Sequence, residues 1–100
     1  MILVPEYGAD PVGESRSRPL TAFTLNLSGN QEVQVSPLRE NVDLNILNST
    51  TSQVAIKVGS QGAEAILLGP GDSISIKHVL LSSVYIVAQG GNALVYVWWT

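Results

Sequence analysis

Apolar side chains recur at every second position along most of this chain, and a period of two suits strands and little else. Phe23, Leu25 and Leu27 alternate with Thr24, Asn26 and Ser28. Val33 and Val35 alternate with Glu32 and Gln34 until Pro37 stops the run, and Val42, Leu44 and Ile46 alternate with Asp43 and Asn45. Val54, Ile56 and Val58 then leave Lys57 pointing outward. No spacing of three and four marks a helix, and the β-branched residues in these runs are at home in a strand, where their χ1 restriction is no handicap. The pattern predicts an all-β domain of about eight strands at roughly ten-residue intervals, near 21–28, 31–36, 41–48, 53–59, 63–68, 72–77, 79–88 and 92–99. A small antiparallel β-sandwich or a closed barrel has this rhythm.

The breaks between the runs carry turn chemistry. In Gly69-Pro70-Gly71-Asp72, Pro70 fixes φ and Gly71 can take the positive φ that a type II turn asks of its third residue, which predicts a sheet corner. Gly90 and Gly91 with Asn92 read as a tight hairpin, and Ser28-Gly29-Asn30 as a turn. The last two runs differ from the others because both alternating sets are apolar: Leu80, Leu81, Val84, Ile86 and Val87 in one, and Leu94, Val95, Val97 and Trp98 beside Tyr96 in the other. A strand with two apolar faces is central in its sheet or covered by another subunit. Tyr85, Val87, Tyr96, Trp98 and Trp99 are therefore candidate oligomer-interface residues.

Residues 1–19 have a different character. Pro5, Gly8, Pro11, Gly13 and Pro19 punctuate them, with charges at Glu6, Asp10, Glu14, Arg16 and Arg18, so no strand or helix of ordinary length fits between the breakers. The expected organisation is an extended N-terminal arm over 1–19 and a β-domain over 20–100. Met1, Ile2, Leu3 and Val4 would be an exposed apolar patch unless they lie on a neighbour or along an edge strand, which makes them the candidate anchor of a binding arm. A loose terminus is the competing reading.

Composition narrows the partners. The chain is 45% hydrophobic and only 13% charged, against roughly 25% charged in ordinary soluble domains, so part of its surface is expected to be covered. A net charge of −3 provides no basic field for a phosphate backbone, and nucleic acid is not expected as a partner. Cysteine is absent, so neither disulfides nor thiolate chemistry enter. No run approaches the roughly 18 apolar residues of a membrane span. Pro5 and Glu6 cut the first apolar run short of a signal peptide, so use without export is expected.

Catalytic and metal chemistry find little to stand on. His78 is the single histidine, and a metal site normally needs three or four protein ligands, so a structural role is the expectation and no cofactor is foreseen. Asp72, Ser73 and His78 are the side-chain types of a hydrolytic triad, but Ser73 lacks the Gly-x-Ser-x-Gly context and Asp72 suits a turn. Cupin-like enzymes share an all-β topology, yet their metal centres depend on several histidines. Asn26-Leu27-Ser28 and Asn48-Ser49-Thr50 match the glycosylation sequon, and without an export signal both are chance matches. Gly69-Pro70-Gly71 lacks the Lys-Ser/Thr of a phosphate loop. The sequence points to a non-enzyme.

The Asn48-Ser49-Thr50 loop, the strand Val54-Ala55-Ile56-Lys57-Val58, the corner from Leu68 to Ile76, and Val84 to Ala88 followed by Gly90 to Val97 together resemble small accessory virion proteins of tailed bacteriophages, the head decoration (cement), head-fibre and tail accessory modules. The resemblance covers residues 41–99 and rests on turn and strand motifs. It implies a structural β-sandwich or barrel, commonly a homotrimer, that is made in the host cytoplasm and clamps the major capsid protein or another virion protein on the particle surface. A carbohydrate-binding or receptor-binding module on a tail or head fibre is the alternative, with the exposed aromatics as a sugar platform.

Overall fold

The structure is a computed structural model that describes residues 19–100. The predicted arm, with Met1, Ile2, Leu3 and Val4, lies outside the described residues apart from its last position. Eight strands follow: β1 (Thr21–Leu27), β2 (Glu32–Gln34), β3 (Asn41–Asn48), β4 (Ile56–Ser60), β5 (Ala63–Leu68), β6 (Ser73–Leu80), β7 (Tyr85–Ala88) and β8 (Ala93–Trp99). They form two four-stranded sheets, in the orders β1-β8-β3-β6 and β2-β7-β4-β5, with every pairing antiparallel. Each connection except β4–β5 carries the chain from one sheet to the other. That alternation is the double Greek key of a jelly roll, and it makes the domain a sandwich rather than a barrel.

The inner faces hold what the period of two predicted. Leu44, Ile46, Val95 and Val97 from the first sheet meet Ile56, Val58, Ile86 and Ala88 from the second, all at most 1% exposed and all in one cluster. Burying each of the larger ones is worth roughly 1.5–3 kcal/mol, which is what holds two sheets without disulfides together.

The corner between β5 and β6 has its expected geometry: Gly71 stands at φ 91° and the Asp72 amide donates to the Gly69 carbonyl at 2.9 Å. The Asp72 side chain also closes the corner, its Oδ2 accepting the Gly69 amide at 2.9 Å. At Ser28-Gly29-Asn30 the turn is closed by the Gln31 amide on the Ser28 carbonyl at 3.2 Å, with Asn30 at φ 62°.

Three expectations change. Gly90-Gly91-Asn92 is not a hairpin, because β7 and β8 lie in different sheets and the segment carries the chain across the sandwich. The tight hairpin is instead Gln61-Gly62 between β4 and β5, with Ser60 opposite Ala63 and Gly62 at φ 72°. The run predicted at 79–88 is cut by a 3-10 turn at Leu81–Ser83 that folds Leu81 wholly into the core. Its first residues belong to β6, which continues past 77 through a bulge where His78 stands at φ 52°. Finally, residues 53–55 precede β4 as a loop rather than starting it.

Asn48, at the end of β3, is the polar residue at the centre of this packing. It is 0% exposed, and its Nδ2 donates to the carbonyls of Val54 at 3.1 Å and Leu68 at 3.0 Å. Its own carbonyl accepts the Gly71 amide at 2.7 Å. With that burial and those bonds, the Asn48 sequon presents no amide for a glycan.

Candidate interaction face

Strand pairing builds the outer face of the first sheet row by row. One row runs Ala22, Trp98, Asn45, Ser75 and the next Thr24, Tyr96, Leu47, Ser73; Asn26 and Leu94 begin a third. None of these residues carries a charge, and the Ser75 hydroxyl bonds the Asn45 side-chain oxygen at 2.6 Å. Beside Trp98 and Tyr96 a groove of about 500 Å³ runs along β1 and β8, lined mainly by Leu20, Ala22, Phe23, Tyr96 and Trp98. Leu20 is 63% exposed at its rim. Asp43 on β3 and Lys77 on β6 bring charge to this face only beyond the Asn45–Ser75 pair, while Glu32, Lys57 and Glu64 lie on the strands of the second sheet.

The five interface candidates do not form one patch. Tyr96 and Trp98 lie on the outer face of the first sheet. Tyr85 and Val87 alternate with the buried Ile86 and Ala88 and so look outward from the second sheet. Trp99 is a correction: it faces the core at 6% exposure and meets Phe23 edge to face, with ring centroids 5.4 Å apart. Of the turn residues, Pro70 and Gly71 form the corner, Gly90 takes φ 87°, and Gly91 is packed so closely that a Cβ there would lie 2.8 Å from a Val54 methyl.

His78 is exposed in a bulge where Lys77 and His78 together oppose Asp43, and its amide donates to Asp43 Oδ1 at 2.9 Å. Ser73 is five positions away along the same strand, about 16 Å at an extended rise, and Asp72 is engaged with Gly69, so the three triad types are not brought together. Among the described residues no group of three or more His, Cys, Asp or Glu is placed to hold a metal ion, and no helix is long and apolar enough to cross a membrane.

Two features gave no sequence signal. A polar cleft of about 360 Å³ opens at the far end of β1 and β8, where Asn26, Ser28, Thr51, Gln53 and Asn92 supply amides and hydroxyls. On the second sheet the Glu32 and Glu64 carboxyls lie close enough to shift each other's protonation. Glu64 and the Gly62 amide, 2.6 Å from Oε2, hold Glu32 below the ordinary carboxylate range, while Glu32 pushes Glu64 above it.

No family model matches the chain, and no curated protein matches its sequence. Among solved structures it is similar to an RmlC-like cupin protein from Desulfovibrio desulfuricans, with a TM-score of 0.59 at 17% identity over 87% of this chain and 76% of that one. The likeness is one of fold. A cupin-like β-sandwich is carried by enzymes and non-enzymes alike, so the surface rather than the architecture must carry a functional argument. Inside this sandwich the facing side chains are Ile46, Ile56, Val58, Ile86, Val95 and Val97, which do not fit an ion-binding set.

Proposed function

We propose that the chain is a non-enzymatic structural protein of a tailed-phage virion, a capsid decoration (cement) protein that seats the outer face of its first sheet on a neighbouring capsid subunit. The observation that carries this reading is the uncharged row structure around Trp98 and Tyr96. Interface centres are depleted in charge and enriched in Trp and Tyr, and an exposed groove of this kind costs solubility unless something covers it. The jelly roll is used by viral capsid domains as well as by cupins and lectins, which makes the reading compatible with the fold. In this proposal Met1, Ile2, Leu3 and Val4 anchor the arm on the same particle. The test mixes the purified full chain with capsid shells expressed from the same genome and follows rupture of the shells on heating. Saturable binding with a higher rupture temperature is expected; shells that rupture unchanged at saturating protein contradict it.

The polar cleft favours a second reading, a carbohydrate-binding or receptor-binding module. Neutral amides and hydroxyls match the donors and acceptors of a polyhydroxylated ligand. Calorimetric titration with glycans would then show saturable binding that weakens when Asn92→Ala is introduced, whereas the decoration reading expects no binding heat.

A further inference from the structure

The four edge strands of the sandwich are not equally defended. β2 has only three residues. β5 carries Glu64 and a register shift against β4. β6 carries Lys77 and the bulge at His78. Short length, charge and bulges are the devices that stop an edge from pairing with another chain. β1 has none of them: seven residues pair with β8 in unbroken register, the sequence Thr-Ala-Phe-Thr-Leu-Asn-Leu contains neither charge nor proline, and among the described residues no strand lies on its other side.

We infer that β1 pairs antiparallel with β1 of a second copy of this chain across a two-fold axis, joining the first sheets of two domains into one continuous eight-stranded sheet. Charge selects this occupant. The chain carries a net charge of −3, so copies repel through charged surfaces, but a strand with no ionised side chain meets itself without placing like charges opposite each other. Symmetry is satisfied as well, since a two-fold interface must be self-complementary and an antiparallel strand pair is so by construction. The axis stands perpendicular to the sheet, so Ala22, Thr24, Tyr96 and Trp98 of both copies lie on the same side and the two grooves merge. The result is a dimer, not the trimer that the virion resemblance implies, and it holds whether or not the target is a capsid.

Light scattering on the purified full chain, with no particle present, tests this apart from the functional proposal. The expected mass is twice the 10.6 kDa of one chain. Ala22→Lys with Thr24→Lys places charges on two exposed positions of β1, as Lys77 does on the opposite edge, and is expected to give one-chain mass at the same loading with an unchanged far-ultraviolet circular dichroism spectrum. Ala22→Glu with Thr24→Glu is expected to do the same, and an equal mixture of the two variants to recover the two-chain mass. A wild-type monomer or trimer overturns the inference, as does a two-chain mass that survives both double variants or a mixture that fails to recover it.

Discussion

Asn48 and Leu68 end strands of opposite sheets, and the Asn48 side-chain amide reaches the Leu68 carbonyl at 3.0 Å inside the core. The same amide nitrogen also serves the Val54 carbonyl, so one side chain ties the first sheet to the loop before β4 and to the end of β5. Replacing it by Ala leaves two buried acceptors without their donor, at a cost of about 2–4 kcal/mol. For a domain of this size that lowers the melting temperature on the order of 10 °C, which calorimetry reads directly. A loss of only a degree or two would mean that the tie contributes little.

The corner beside Asn48 makes a second prediction. Gly71 stands at φ 91°, and a Cβ there would also come within 3.3 Å of a Thr50 methyl. Gly71→Val places a β-branched residue in a conformation it strongly disfavours and costs on the order of 1–3 kcal/mol. The variant is expected to melt lower while binding its partner normally once folded. Unchanged melting contradicts the turn.

His78 pays a conformational cost that glycine would not. A non-glycine residue at φ 52° is strained by roughly 1–2 kcal/mol, while the contact that the position provides, its amide on Asp43, belongs to the backbone. His78→Gly is therefore expected to melt at the same temperature as the parent or higher. A clear loss of stability would show that the imidazole itself holds the bulge.

The paired carboxyls give a pH dependence. Glu32 raises the Glu64 carboxyl above its ordinary 4.5, so the stabilisation from neutral Glu64 is present below 4.5 and is lost as pH rises through the folded-state value. Glu32, held low, acts oppositely: its contribution is present above the ordinary value and lost as pH falls through the lowered one. Glu64→Gln fixes the neutral form. Melting curves are expected to place the variant above the parent at neutral pH, with the gap closing in acid below 4.5. An equal gap at both ends contradicts the influence of Glu32 on the Glu64 carboxyl.

Strand count, class and most boundaries were legible because alternation survives wherever one face is wet: Phe23-Leu25-Leu27 and Val42-Leu44-Ile46 place themselves. It failed where both faces are apolar. Leu80 and Leu81 hid the 3-10 turn behind an unbroken apolar run, and Gly90-Gly91-Asn92 has hairpin composition although it spans two sheets, a distinction made by strands distant in sequence. Trp99 was misplaced by chemistry when parity had the answer, since Ala93, Val95, Val97 and Trp99 share one face and Leu94, Tyr96 and Trp98 the other. The uncharged rows of the interaction face were beyond reach because they depend on the register of β1, β8, β3 and β6.

In the proposed role, this face is where the chain would meet a capsid subunit. Co-sedimentation of capsid shells with the full chain and with Tyr96→Glu/Trp98→Glu tests it most directly, once circular dichroism has shown that the variant is folded. Two charges among the apolar anchors are expected to weaken binding by at least about tenfold, or about 1.4 kcal/mol, without lowering the melting temperature appreciably. Equal binding by the folded variant and the parent would contradict it.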